Sequence, residues 1–487
     1  MYKVGGLLNR VTKNEIIKRY ISSGTTFKVQ NGNTFKINNS RGLLVNGVCS
    51  SSSNSIITSN NKSISIESLY NQRHFSSSKS QSKKREQDDD DEDNSKLKKT
   101  DKLVVQELKE LIPVYSIMNQ DGIVSQPDQD PNFSKEVVTK MYTTMVLLNT
   151  MDSILYDVQR QGRISFYMTS FGEEAIHIGS AAALDMNDTI FAQYRETGVF
   201  MWRGFNVDDI VNQCCSNDLD GGKGRQMPMH FGSKRINLQT ISSPLTTQLP
   251  QAVGTAYAQK LMGEKNCTIV YFGEGAASEG DFHAAMNFAA TLSTPTIFFC
   301  RNNKWAISTP SKEQYKGDGI AGRGPNGYGM KTMRVDGNDI WAVYNATKLA
   351  RQIAVEEQKP VLIEAMTYRV GHHSTSDDSS RYRTIEEINH WKENQNPVQR
   401  LKSYMLRKGW WDEDREKAFI AESRQTVRDA LNRAEKQKKP PISELFTDVY
   451  DKLTPNLVEQ QNELLDHLKL YADEYPLDQF SNSTINK

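Results

Sequence analysis

The stretch Gly273-Glu-Gly-Ala-Ala-Ser-Glu-Gly280, an alanine-rich segment, and then Thr294-Pro-Thr-Ile-Phe-Phe-Cys-Arg-Asn-Asn303 decides how the rest of the chain is read. Just before it, Cys267–Phe272 is a short, apolar, β-rich run that reads as a buried strand. Asp281–Leu292 places Phe282, Ala285, Met286 and Ala289 at helical spacing with no Gly or Pro, and Thr296–Cys300 is a second buried strand. This is one βαβ unit, and a right-handed crossover makes its strands parallel.

Parallel strands end at the same sheet edge, so Glu274 after the first strand and Asn303 after the second can face one site. A carboxylate and an amide oxygen suit a hard divalent ion such as magnesium, which keeps coordination places for phosphate and water. Gly273 and Gly275 let backbone approach a phosphate, and the following helix points its N-terminus the same way. The segment therefore reads as a clamp for magnesium and a diphosphate. Ser278 stands where a dinucleotide fingerprint has its third glycine, and the Gly-Lys-Ser/Thr of a P-loop is absent. A bare Gly-x-Gly would suit any βαβ turn; the paired Asn302-Asn303 separates the two readings. The spacing resembles the signature of thiamine-diphosphate enzymes, and that resemblance names the cofactor.

The 487 residues allow about three domains. The net charge of +1 predicts no nucleic-acid footprint, but it hides an asymmetry: residues 1–85 hold fourteen Lys and Arg against Glu15 and Glu67, a net +12 that leaves −11 for the rest. A basic, Ser- and Asn-rich start nearly free of acid resembles a mitochondrial presequence, assigned to 1–75, and Arg73-His74-Phe75-Ser76 resembles a matrix-protease cleavage site. Residues 76–102, with the acid run Asp88–Asp93 between Lys-rich blocks, read as a disordered charged spacer. The five cysteines form no disulfide framework; Cys267 and Cys300 fall in buried strands, and the adjacent Cys214-Cys215 suits neither an intrachain clip nor zinc. No stretch approaches the ~20 consecutive apolar residues of a membrane span.

Order is expected from Leu103. Lys135–Asp157 carries a helical apolar stripe after the start signals Pro131 and Ser134. Gln159–Leu184 enters another helix, in which His177 reads as a packed residue. Thr189–Gln193 is a short strand leading to Tyr194-Arg195-Glu196; Arg195 can grip phosphate or merely form a surface ion pair. Ile241–Gln248 is rich in hydroxyl, amide and carbonyl oxygens before a helix from Gln251 to Met262, which suits a monovalent cation or simple helix capping. Gly317–Gly329, with six glycines in thirteen residues, reads as a mobile loop. Ile340–Glu357 is a helix, Pro360–Met366 a third strand, and the long Tyr368–Arg383 segment after it a functional loop. Ile385–Leu453 reads as helical with Trp410-Trp411 as packing anchors, and Tyr475–Phe480 as a docking tail.

Taken together, Gln193–Glu196, Ile241–Gln248, Gly273–Asn303 and His372–Arg383 resemble, in order, the alpha subunits of thiamine-diphosphate-dependent 2-oxo acid dehydrogenases over residues 103–487. The loop Gly-His-His-Ser-Thr-Ser-Asp-Asp-Ser-Ser favours the branched-chain group over the pyruvate group, whose loop carries a single His-Ser. The resemblance implies an α/β thiamine-diphosphate-binding fold: a mostly parallel sheet flanked by helices, with a catalytic domain at 103–440 and a helical C-terminal docking tail at 441–487. It implies oxidative decarboxylation of branched-chain 2-oxo acids, with transfer of the acyl group to a lipoyl group on the next enzyme. The rival readings are the pyruvate-type relative and a non-catalytic scaffold.

The resemblance also assigns residues. Glu274, Asn303 and the main-chain oxygen of Trp305 hold magnesium; the family usually has tyrosine at the last position, and a carbonyl ligand should survive the change. Tyr194, Arg195, Gly275, Ala276, Arg301 and His373 contact the cofactor or its diphosphate, His373 as the catalytic residue, with Ser243 and Leu245 against its rings. Ser242, Pro244, Thr247 and Gln248 surround potassium. Ser374 and Thr384 match phosphorylation positions, with threonine where the family has serine, and Asn326 looks like an insertion. The implied partners are a beta subunit in a heterotetramer of two alpha and two beta chains, a lipoyl-bearing acyltransferase core, and a regulatory kinase and phosphatase. Nucleic acid and membrane are not among them. The glutamate that activates the cofactor belongs, in this family, to the beta subunit.

Overall fold

The computed structural model describes residues 99–105, 107 and 110–481, with the backbone of three strands nearer the N-terminus. The chain separates into two units, residues 1–104 and 105–487. In the first, β1 (Thr26–Val29), β2 (Thr34–Asn38) and β3 (Leu44–Val48) form an antiparallel meander. Those backbones aside, the presequence reading and most of the 76–102 spacer lie outside the described residues.

The second unit is built on six strands: β4 (Val114–Tyr115), β5 (Thr189–Phe191), β6 (Thr268–Gly273), β7 (Thr296–Asn302), β10 (Lys331–Asp336) and β11 (Val361–Met366). Their order is β4-β10-β11-β7-β6-β5, and every neighbouring pair is parallel. β7 is buried along its whole length, which is why Ile297–Cys300 reads as an unbroken apolar run before Arg301 and Asn302 at its end. Successive side chains enter opposite cores. Ile269, Tyr271, Ile297 and Phe299 join the core on one face, while Val270, Phe272, Phe298 and Cys300 join the other. The first core receives α1 (Lys135–Arg160) and α9 (Ile340–Glu356); the second receives α5 (Gln248–Met262) and α6 (Gly280–Leu292). Between α1 and α5 lie α2 (Glu174–Ala182), α3 (Thr197–Trp202) and α4 (Val207–Cys214).

The βαβ unit β6-α6-β7 is as its sequence predicts, with Gly273 opposite Arg301 and Met366 opposite Asn302, so three strand ends share one edge. Past β7 a small hairpin, β8 (Trp305–Ala306) and β9 (Thr309–Pro310), folds over that edge before the one-turn α7 (Ser311–Gln314). The glycine-rich segment departs from the expected mobile loop. Ile320 and Ala321 are buried, their amides donate to Glu364 at 3.2 and 2.9 Å, and Asp318 pairs with Arg334 at 2.6 Å. Arg323–Tyr328 then forms α8.

After β11 come α10 (Ile385–Asn394), α11 (Pro397–Arg407), α12 (Glu413–Ala434) and α13 (Pro455–Leu470), so the expected continuous helicity to Leu453 ends at Ala434. Trp411 meets Tyr142 edge-on at 5.3 Å, anchoring these helices to α1. The C-terminal stretch returns to the same unit, where Lys439 pairs with Phe480, and Lys223 and Arg225 bind Glu444 and Asp448.

Asp339 ties the N-terminal edge of this unit to its centre. Its carboxylate caps α9 through Trp341 and Ala342, and accepts the amides of Ile117 and Met118 at 2.7 Å each. Asp339→Ala leaves these buried N–H groups unpaired and should cost about 2–4 kcal/mol in urea unfolding, most of it restored by Asn.

Candidate functional site

A cavity of about 350 Å³ opens at the carboxyl edge of β6 and β7. Eleven of the residues assigned above line it: Tyr194, Arg195, Ser243, Leu245, Glu274, Gly275, Ala276, Arg301, Asn303, Trp305 and His373. Ser242, Pro244, Thr247 and Gln248 are not among its lining residues. They occupy the adjoining turn, where Thr247 Oγ1 donates to the Pro244 carbonyl at 3.2 Å and Gln248, the first residue of α5, donates to the Tyr271 carbonyl at 3.1 Å.

At the end of β6, the Gly273 amide donates to Gln193 Oε1 at 2.8 Å, which couples this strand to the turn after β5. Gly275 is where the β8–β9 hairpin comes closest; a Cβ there would stand 2.4 Å from that of Ala306. Between these glycines Glu274 is 2% exposed. Its Oε2 accepts the Asn303 amide at 3.3 Å, and its Oε1 is buried with no hydrogen-bond partner. Burial pushes its carboxyl up to about 7, helped by Glu173 and opposed by the backbone amides and Arg301. A buried oxygen short of a donor or cation, beside an asparagine on the next strand, fits a magnesium ion. The Trp305 carbonyl already accepts Arg369 Nη1 at 2.9 Å, so only its remaining lone pair is open to such an ion. Among the described residues no cluster of three or more His, Cys, Asp or Glu is arranged for a metal.

The surrounding charges are buried and paired. Glu173 binds Arg301 Nη1 at 2.6 Å and Asn303 Nδ2 at 2.7 Å, with Arg195 Nε at 3.7 Å. Burial alone would raise its carboxyl, but Arg301 and Arg195 hold it below the ordinary range. Glu196 Oε2 accepts the amides of Gln193, Tyr194 and Arg195, and its Oε1 lies 2.5 Å from Arg301 Nε. Arg195 itself donates to the carbonyls of Thr169 and His373. It is 2% exposed, so a surface pair is ruled out.

The two loop histidines part company. His372 turns away to accept the Ser379 amide at 3.0 Å and stack on Tyr156. His373 faces the cavity edge-on to Tyr194, its backbone amide held by Asp377 at 2.8 Å. Burial, then Arg195 and Arg369, push its imidazole down to about 3, so it is neutral near pH 7. Ser374 is 7% exposed, and Thr384 caps α10 by accepting the Glu387 amide at 3.1 Å. His177 is fully buried, as a packed helix residue should be.

Glu173, Arg369 and His230 carry weight that reading the residues in order misses. His230 Nδ1 meets the Pro228 carbonyl at 3.1 Å, so it holds the proton and Nε2 accepts the Ser243 hydroxyl at 2.6 Å. The available signal for Glu173 was an acid pair, Glu173-Glu174, opening an otherwise apolar helix.

A family model described as Dehydrogenase E1 component matches residues 142–443. The mitochondrial 2-oxoisovalerate dehydrogenase subunit alpha of Dictyostelium discoideum is 81% identical over 386 residues, 79% of this chain and 88% of its own. The Homo sapiens protein of that name is 58% identical over 369 residues, 76% of this chain and 83% of its own. The subunit alpha 1 of Arabidopsis thaliana is 50% identical over 376 residues, 77% and 79% of the two chains.

Glu274 yields a two-sided pH prediction. Its folded pKa of about 7 lies above the ordinary carboxylate value, so the folded state holds the proton longer and stability falls as pH rises through that window. Glu274→Gln should therefore be the more stable protein at about pH 8, by up to about 3 kcal/mol, and no more stable at about pH 4.5. Magnesium binding with thiamine diphosphate should release more protons below about pH 7 than the diphosphate alone gives up, seen by calorimetry in buffers of different ionisation enthalpy, and the Gln variant should lose that excess.

Proposed function

The chain belongs to the dehydrogenase E1 component family, and from that premise we propose that it is the alpha half of a mitochondrial enzyme that oxidatively decarboxylates branched-chain 2-oxo acids. The acyl group passes to a lipoyl group on the next enzyme of the complex. The observation that carries this reading is the unpartnered Glu274 oxygen, buried beside Asn303 at one sheet edge, in a cavity whose lining also includes three arginines and a neutral histidine.

Thiamine diphosphate, when bound, supplies the nucleophilic carbon and the electron sink for loss of carbon dioxide. The chain's own residues do the rest. Glu274, Asn303 and the Trp305 carbonyl hold magnesium, and the Gly275 and Ala276 backbone lets the diphosphate come close. Arg195 and Arg301 set a positive field for it, while Glu173 and Glu196 keep both guanidinium groups in place. Ser243, oriented by His230, and Leu245 border the rings. Ser242, Pro244, Thr247 and Gln248 hold potassium and so stiffen the turn that carries them. His373, uncharged, orients the diphosphate and the reacting end without adding a second cation.

Glu274 is the one carboxylate among the cavity's lining residues, and it is committed to the metal. The family resemblance assigns the acid that activates the cofactor's ring to a beta subunit, and the lack of a second carboxylate among these lining residues supports an assembly of two alpha and two beta chains in which that subunit completes the site. The lipoyl-bearing acyltransferase core, a kinase and a phosphatase complete the set of partners. Copurification with beta chains followed by assay tests this. The complex should turn over 3-methyl-2-oxobutanoate at least about tenfold faster than pyruvate, and the alpha chain alone should be inactive.

Ser374 and Thr384 are the modification sites in this reading. Phosphate on Ser374 adds about −1.5 to −2 charge next to His373 and near Asp377, whose carboxylate holds the loop through the His373 amide and Tyr382. Like charges there open the loop. Because Ser374 is 7% exposed, the kinase must first find the loop displaced. Ser374→Glu should lower the overall rate at least about tenfold and raise tryptic cleavage within 370–384; an unchanged rate with unchanged cleavage would refute the switch.

A further inference from the structure

A second cavity, of about 570 Å³, lies behind the loop that carries His373. Two of its walls are the two ends of that loop. Val370 and Gly371 line it where the chain leaves β11, and Ile388 and Lys392 line it from α10, where the chain returns behind the Thr384 cap. Phe171 forms another wall, and its carbonyl accepts the Val370 amide at 3.1 Å.

The polar groups on this cavity are incomplete. Glu174, 2% exposed, lines it. The Gly172 amide donates to its Oε2 at 3.0 Å. Burial pushes its carboxyl up to about 8; its own amide and that of Gly172 oppose this, and Asp152 and Glu173 add to it. Among the described residues it forms no salt bridge. Asn149, from α1, lines the same space, and its Oδ1 is buried without a hydrogen-bond partner. A buried carboxyl that forms no ion pair and a buried amide oxygen without a donor match a ligand that brings an ammonium group. Lys392 supplies the opposite charge for an anionic group, and Phe171, Val370 and Ile388 add apolar surface to the lining.

We propose that this cavity binds a small zwitterion with an apolar side chain, an aliphatic α-amino acid, with its ammonium at Glu174 and Asn149 and its carboxylate at Lys392. Such a ligand touches both ends of the 370–384 loop. It binds only while those ends stand as they do here, so it favours the arrangement in which His373 faces the first cavity.

The test is calorimetry of the full chain, assembled with a beta chain where that assembly forms, using L-leucine as the probe. Isopentylamine, lacking the carboxylate, and 4-methylpentanoate, lacking the ammonium, are the controls. Leucine should bind saturably, and each truncated probe at least about tenfold more weakly. Lys392→Ala should weaken leucine about tenfold and leave isopentylamine unchanged, whereas Glu174→Gln should weaken both. Lys392 is on the exposed side of α10, so its variant remains informative if the Glu174 variant fails to fold. Saturating leucine should also slow tryptic cleavage at Arg381. Absence of leucine binding up to about 10 mM, or binding unaltered in Lys392→Ala, overturns the site. Unaltered loop cleavage at saturation overturns the bracing.

Discussion

Glu173 has no exposed side-chain surface, and the cavity is assembled around it. Its two oxygens divide between Arg301 and the Asn303 amide, at 2.6 and 2.7 Å, while Arg195 closes the cluster at 3.7 Å. Burying such charges costs several kcal/mol each, and the arrangement persists because every charge meets its opposite. The geometric return is specific. With its side-chain nitrogen held by Glu173, Asn303 turns its carbonyl oxygen the other way, where it accepts the Trp305 amide at 3.3 Å and keeps a lone pair for an ion, and Glu274 Oε2 fixes its backbone. Glu196 does for the 193–195 turn what Glu173 does for the strand end, gathering three amides on one oxygen. The cavity is therefore shaped in advance of any ligand.

Those pairings explain which parts of the molecule are legible in sequence. A parallel strand buried on both faces must be apolar throughout, so β6 and β7 declare themselves, and the alanine-rich segment between them has only one regular structure open to it. The strand ends follow from topology. What spacing cannot show is which distant charges meet: Glu173 lies 128 residues from Arg301. Glu364 is the instructive case. It appears as one acid inside an apolar strand, and it proves to hold the amides of Ile320 and Ala321 together with Arg334 and Asn302. That one residue turns a glycine-rich composition, which reads as mobile, into a packed turn. Likewise the pair Asn302-Asn303 splits across the strand end, one side chain toward Tyr315 and Glu364, the other toward Glu173.

A protein selected for stability alone would not bury Glu274 with one oxygen unpaired, nor keep His373 between two arginines. Such unrelieved groups at one sheet edge mark a place built for something the chain does not itself supply. The loop that presents His373 is held by its own pairings, Asp377 with Tyr382 and Arg383 with the carbonyls of Arg369 and Gly371, and by the unit beneath it, where Arg195 donates to the His373 carbonyl and Thr375 exchanges hydrogen bonds with the Tyr167 backbone. Rigid charges on the sheet, with a loop above them that hydrogen bonds hold in place, let the same site be both preset and switchable.

The central claim is that two strand crossings aim oxygen atoms at a single ion. A crystal of the alpha–beta assembly grown with thiamine diphosphate and manganese in place of magnesium, examined by anomalous scattering, measures this directly. One peak within coordinating distance of both Glu274 Oε1 and Asn303 Oδ1, about 2.0–2.3 Å from each, is the expected result. A bound cofactor with no peak between them, the two side chains facing separate neighbours, would contradict it.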